Sequence, residues 1–400
     1  MSAHQPLSVD ALIARARRET GLQEFETREF LPPLRKFIES VNQSLDQLHE
    51  RGRVGIEDRI VRLLVNHLRM HADIIAHPQI RSEVLAPPAA IIGLPRTGST
   101  KLQRLLAAGR GFQELLMWQA YNPAPFPGTG RGDPAPRVKA AVEFVDWMNE
   151  SAPDSQRGHR VVVDSVEEES HLIEQLFATP TTISFVPAYS WCRYIERLDK
   201  SGMYAHLRTC LQYLQWQFPE RRAQPWLLKY PANLGNESYI SRVFPGVRYV
   251  VTHRDPFPVL ASLVALIAAT RKLHCRSEDR RVFSRWALDE FSSQMERHLA
   301  WRDAHPDAQA LDVAFDDIVD DGMSVARRIH AFYGLDWTGA VEADIRGWLA
   351  ENERQRDRLE YRLDDLGFTE AECRERFSDY YRRYGALFQR PAASSAEPRH

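Results

Sequence analysis

The 400-residue chain has only four cysteines, Cys192, Cys210, Cys275 and Cys373, and they form no C-x-x-C pair. That argues against a cysteine zinc site and a disulfide framework, and a reducing cytoplasm is the expected setting. Long apolar runs are missing too. The longest, Val259 to Ala269, is interrupted by Ser262 and is too short to span a bilayer. Met1 to Pro6 shows no basic-then-apolar leader pattern. Charge of one sign is also lacking: 52 Lys+Arg against 54 Asp+Glu leave a formal −2. No global field then draws nucleic acid or an acidic membrane, so any anion site must be local. There is no internal repeat. With 44% hydrophobic residues the chain can still bury a substantial core.

What is present centres on Ala89 to Leu102. An apolar run ends at Gly93, a loop Leu94-Pro95-Arg96-Thr97-Gly98 follows, and an amphipathic stretch opens at Ser99-Thr100. The order reads as strand, phosphate-cradling loop and helix, in which backbone N–H groups and the helix N-terminus favour an anion. Set against G-x-x-x-x-G-K-[ST], Ser99 stands where the lysine belongs and the cation has moved into the loop as Arg96. A nucleotide-type anion is expected without the usual ATP machinery. The plain alternative is an ordinary glycine-containing βα turn.

Along the chain, residues 8–77 read as helices, with Ser8 as an N-cap and an apolar period through Ile60, Leu63, Leu64, Leu68 and Ile74. His67, His71 and His77 fall there without an acidic partner at ligand-like spacing, so solvent or lid contact is the expectation. Phe112 to Trp118 reads as a strand. Asn122 to Pro136 is too rich in breakers for regular structure, and reads as a lid, a pocket wall or a mere connector. Glu167-Glu168-Glu169 opens a helix running to Phe177, its carboxylates complementing the dipole. Tyr189, Trp191, Tyr194 and Tyr204 suit an apolar pocket or the core equally well. Trp226-Leu227-Leu228 forms a short strand ending in Lys229. Val247 to Thr252 forms another, ending in His253-Arg254-Asp255-Pro256, with a helix from Pro256 that carries Ser262. A phosphate hydrolase would place a Mg²⁺-holding acid at that strand end. Basic groups there bind an anion directly. Residues 308–315 read as a last strand, followed by helices near 324–333, 341–351 and 370–388. The charged segment 352–360 reads as solvated.

Strands alternating with helices imply an α/β fold: a P-loop-type three-layer sandwich with a parallel sheet, plus helical N-terminal and C-terminal extensions. Ligands then gather at the strands' carboxyl ends, where Gly93–Thr100, Lys229 and His253-Arg254 all fall. The expected division is a helical extension at 1–86, an α/β core at 87–335, a helical segment at 336–390 and a disordered tail at 391–400.

Leu94-Pro95-Arg96-Thr97-Gly98-Ser99-Thr100, Leu228-Lys229-x-Pro231, and His253-Arg254-Asp255-Pro256 with Ser262 resemble the PAPS-dependent sulfotransferases, the bacterial branch best. Trp348 to Asn352, and Tyr361 before Leu363 to Phe368, extend the resemblance across residues 88–388. It implies that Pro95 to Thr100 bind the 5′-phosphosulfate of 3′-phosphoadenosine 5′-phosphosulfate (PAPS). Arg254 and Ser262 bind its 3′-phosphate, His253 contacts the cofactor, and Arg96 and Lys229 serve the transferring group. It implies no metal, and as partner a small, partly apolar hydroxylated acceptor. Relatives often carry Glu and His where this chain has Gln119 and Asn233, and neither amide can act as a base. Glu168, Glu169 and His171 are left as candidates, with Glu114 behind them and His253 as an alternative whose place beside Arg254 suggests cofactor contact; Glu168 and His171 are taken forward. The rival readings are a P-loop nucleotide kinase, disfavoured by Ser99, and a catalytically silent nucleotide-binding module.

Overall fold

The computed structural model describes residues 5–158, 160–277, 279–352 and 360–388. The expectations for most of the charged segment and for the tail lie outside these residues. Four short strands, β1 (Ala89–Gly93), β2 (Leu227–Lys229), β3 (Arg248–His253) and β4 (Ala310–Ala314), form one sheet in the order β2-β1-β3-β4. All pairings are parallel, with Gly93 opposite Thr252 and Ile91 opposite Lys229. The strands are apolar on both faces because both faces are covered. Ala89, Ile91, Leu227, Val250 and Val313 pack on the helices Ser99–Ala108, Gly322–Tyr333 and Gly339–Asn352. Ala90, Ile92, Leu228, Tyr249 and Val251 face the larger cluster on the other side. That cluster joins the helices Glu50–Ala76, Ser201–Gln217, Pro256–Arg271 and Arg280–Ala304. This is the expected three-layer α/β sandwich. The N-terminal helices share its core.

Several local expectations are corrected. Phe112–Trp118 is not a strand. Gln113 bridges to Trp226 and Leu116 to Val166, then a helix starts at Met117. The side chain of Gln119 accepts from the Leu116 N–H and turns the chain into that helix. The helix expected from Glu167 runs only from Ser170 to Ile173, followed by a 3₁₀ turn to Leu176. The three glutamates preceding it are engaged elsewhere. The helix expected at 370–388 breaks at Phe377 into two. His67, expected at solvent or a lid, is fully buried. Trp191 and Tyr204 are core residues, with the Trp191 indole N–H donating to the Phe177 carbonyl.

Gly93 shows how closely β1 and β3 approach. Its φ is +148°, and a Cβ there would lie 2.4 Å from Thr252 Oγ1 and 2.6 Å from the Thr252 carbonyl. No rotamer change relieves a clash with backbone. Gly93→Ala is therefore expected to cost at least about 2 kcal/mol through overpacking and a disfavoured φ, read as a lowered urea midpoint at unchanged slope.

Candidate active site at the carboxyl edge of the sheet

The loop after β1 is held by its own side chains. Thr97 is fully buried; its hydroxyl donates to the Leu94 carbonyl at 2.7 Å and lies 2.6 Å from Thr252 Oγ1. Thr97 thus fixes the loop from beneath. Arg96 sits at φ +66° and Gly98 at +82°, left-handed geometry that coils the backbone in front of the helix Ser99–Ala108. No side chain caps that helix and its first turn holds no acid. Its first N–H groups have no intrahelical acceptor. This donor set fits an anion.

Two guanidinium groups meet over the loop. Arg96 Nε donates to Ser262 Oγ at 3.1 Å, and Arg254 Nη1 donates to the Arg96 carbonyl at 2.8 Å. Burial, with the charge of Arg254 behind it, pulls the Arg96 pKa down to about 10, which leaves it charged at neutral pH. Arg254 lies over the ring of Phe315, 3.9 Å from its centroid. Phe315 directly follows β4 and packs against Gly98 as well. Sequence reading passed over it; an aromatic residue at a strand's carboxyl end was the available signal. So Arg96 stands with Arg254 and Ser262, more than 150 residues further along the chain.

His253 does not join them through its ring. It is fully buried, with Nε2 2.9 Å from Asp312 Oδ1 and Nδ1 3.2 Å from the Tyr380 hydroxyl, and Tyr384 stacks on it. Tyr380 in turn donates to the Arg254 carbonyl. The ring supports the arginine from behind and cannot reach a ligand at the loop.

Lys229, at the end of β2, is 1% exposed. Its ammonium donates to Thr100 Oγ1 at 3.3 Å and is paired with the Glu168 carboxylate. Glu168 keeps 20% of its side chain exposed, while Glu169 keeps almost none. Glu169 accepts from the Lys229 backbone N–H and from Asn233 Nδ2, each at 2.7 Å, and Asn233 accepts from the Tyr204 hydroxyl at 2.9 Å. Asn233, blank as a base, is a strut. Gln119 is another. Glu167 faces Arg104 at 3.7 Å, and Glu114 is tied to Arg221 at 2.6 Å. His171 is set among Glu167, Glu174, Arg59 and Arg62, and burial lowers its pKa.

A cleft of about 980 Å³ opens beside Arg96 and Thr100. Arg96, Lys101, Arg104 and Arg160 contribute cations to it against one acid, Asp164. Val138, Val142 and Val145, from the helix Ala135–Ser151, make an apolar wall, and Trp348 and Asn352 also line it. The Pro/Gly-rich loop instead brings Asn122 and Phe126 to a second cleft of about 860 Å³, beneath Arg59 and Arg62.

A profile of the sulfotransferase family matches residues 87–339. The sulfotransferase STF9 from Mycobacterium avium superposes with a TM-score of 0.84 at 26% identity, covering 96% of this chain and 98% of that one. The sulfotransferase STF1 from Mycobacterium tuberculosis H37Rv shares the fold, with a TM-score of 0.77 at 23% identity, covering 94% of this chain and 99% of that one. Comparison with curated proteins finds no match.

Burial pushes the Glu169 pKa from 4.5 up to about 7, against the two N–H groups that favour its ionised form. The unfolded chain loses this proton near 4.5 and the folded chain near 7. Between those values the folded state binds more protons, so this group's contribution to stability falls as pH rises through the window. In Glu169→Gln that slope is expected to vanish between pH 4.5 and 7, checked by urea unfolding at several pH values.

Proposed function

The chain belongs to the sulfotransferase family, and we propose that it transfers a sulfuryl group from PAPS to a hydroxyl of a small, partly apolar acceptor. The observation that carries this reading is the buried Lys229 ammonium, bridging Thr100 at the phosphate-type loop and the partly exposed Glu168 carboxylate. The donor supplies an activated sulfuryl group on a 5′-phosphate and a second anion on its 3′-oxygen. Arg96 to Thr100 offer backbone N–H groups and an uncapped helix terminus to the first. Arg254 and Ser262, linked through Arg96, offer cation and hydroxyl to the second.

Sulfuryl transfer, like phosphoryl transfer, gains most from in-line positioning and from charge placed where the leaving oxygen becomes anionic. Lys229, Arg96 and Thr100 take that position. As the acceptor oxygen bonds sulfur, the sulfur–oxygen bond to phosphate breaks and its electron pair stays on the phosphate oxygen. Glu168 takes the acceptor's proton. The resulting neutral carboxyl releases Lys229 to the departing phosphate. Glu168 is preferred over His171 because it already touches the ammonium that the leaving group needs. Glu169, walled in beneath Lys229, positions the β2 end and does not meet substrate. The acids around Lys229, namely Glu167, Glu168 and Glu169, answer to arginine, lysine or amide partners. The basic side of the cleft suits the donor, and the valine wall beside it suits an apolar acceptor.

Calorimetric titration with PAP, the desulfated product, tests the donor site, with ATP·Mg²⁺ as the control for a nucleotide kinase. Arg96→Ala and Arg254→Ala are each expected to weaken PAP by about 1.5–3 kcal/mol, the scale of a lost charge-assisted bond. Preference for ATP·Mg²⁺, or unchanged PAP binding in either folded variant, defeats the assignment. In transfer assays with PAPS, Glu168→Gln is expected to lower kcat by about 10²–10⁴-fold at unchanged PAP affinity. Turnover retained in that variant removes Glu168 as the base, and no turnover by the native chain on any alcohol or phenol favours a silent binding module. Val142, 40% exposed on the valine wall, gives a separate readout. Val142→Asp is expected to raise KM for apolar acceptors by about 10-fold, the scale of a few buried methyl groups, and to leave PAP binding alone.

A further inference from the structure

Away from the cleft, one cluster of ligand-type side chains has no task in this chemistry. His67, on the helix Glu50–Ala76, is completely buried, and neither ring nitrogen has a hydrogen-bond partner. Leaving two such nitrogens dry and unpaired is costly, because a buried donor or acceptor forfeits its bonds to water without replacement. Facing it are His206, on the helix Ser201–Gln217, and Glu26, on the segment between the first two helices. The rings of His67 and His206 are 5.3 Å apart, and His206 Nδ1 lies 3.4 Å from Glu26 Oε2. One ligand atom from each of the three lies within 4.8 Å of the other two.

We propose that Glu26, His67 and His206 bind a divalent transition-metal ion, Zn²⁺ by the chemistry of its donors, which fastens the N-terminal helices to the sulfotransferase core. Two imidazoles and a carboxylate are a borderline nitrogen–oxygen set suited to zinc, with a water as fourth ligand. Zinc bonds of about 2.0–2.2 Å place tetrahedral ligands roughly 3.3–3.5 Å apart, so modest side-chain rotation closes the site. The outer partners are in place. Cys210 Sγ sits 3.4 Å from His206 Nε2, leaving Nδ1 for the metal, and Arg81 holds the other Glu26 oxygen at 2.8 Å. Such contacts orient metal ligands. Phe25 and Phe30 pack around His67 in edge-to-face contacts.

The site also touches the reaction at one remove. His206 is two residues from Tyr204, whose hydroxyl supports Asn233 and through it Glu169 under Lys229. The helix that carries His67 also carries Arg59, which pairs with Glu174 in the segment following Glu168. Fixing these two helices on one ion steadies both sides of the Lys229 support.

Elemental analysis of the purified full chain, expressed with zinc in the medium, is expected to find about one metal per chain. Stripped protein titrated with Co²⁺ is expected to develop the visible d–d absorption of a four-coordinate nitrogen–oxygen site, and Zn²⁺ is expected to raise its melting temperature. His67→Leu fills the same space without a ligand and is expected to abolish both signals. Should that variant not fold, Glu26→Gln, at the rim of the cluster, is expected to lower Zn²⁺ affinity at least 10-fold in a protein that still binds PAP. Absence of metal, of a Co²⁺ band and of a Zn²⁺-dependent melting shift in the native chain overturns the proposal and leaves a buried His206–Glu26 ion pair. So does a Co²⁺ band that persists unchanged in folded His67→Leu or Glu26→Gln. PAP binding by the metal-free chain keeps this outcome separate from failure of the sulfotransferase reading.

Discussion

An ammonium group almost wholly removed from water at the end of a three-residue strand sets the terms for its neighbours. Burying a charge is costly unless it is paired and hydrogen-bonded. Lys229 meets that demand through Glu168 and Thr100. Glu168 then has to stand beside the strand end, which places Glu169 beneath it. That second carboxylate, buried without a cation of its own, needs donors. It takes the Lys229 backbone N–H and the amide of Asn233, and Asn233 takes the Tyr204 hydroxyl. One desolvated cation therefore explains why the 167–169 segment does not spend its glutamates on a helix dipole, and why Asn233 is an amide.

The same economy of charge appears one strand over. Arg96 and Arg254 are drawn together by a guanidinium-to-carbonyl bond and a bond to Ser262, although like charges repel. The ring of Phe315 takes part of the load through a cation–π contact, and an anion between them would take the rest. In a chain with net charge −2, the positive charge at this edge is a local feature. Attraction of an anion to such a local site needs no global field.

Much of the site was legible because its signals are local. Gly93 and Gly98 bracket a loop that only certain backbone geometries allow, and Arg96, Lys229, Arg254 and Ser262 stand at or just past strand ends, which the βα order places on one edge. The weaker readings failed where a tertiary partner overrode a local pattern. Phe112–Trp118 has strand-like composition, yet Gln119 reaches back to the Leu116 N–H and starts a helix. His253 adjoins Arg254 in sequence, but alternation along β3 turns its ring into the core, onto Asp312 and Tyr380. The valine wall and Phe315 carry no motif at all.

The sequence by itself determined the α/β class, the glycine-bracketed loop between strand and helix and the basic strand ends, since each follows from periodicity, glycine geometry and residue type within a short window. Tertiary structure alone decided which carboxylate holds Lys229, which side chains only brace the site, and that Glu26, His67 and His206 come together. Those outcomes depend on contacts between residues tens to hundreds of positions apart. Desolvation chooses among such contacts only after the helices have packed.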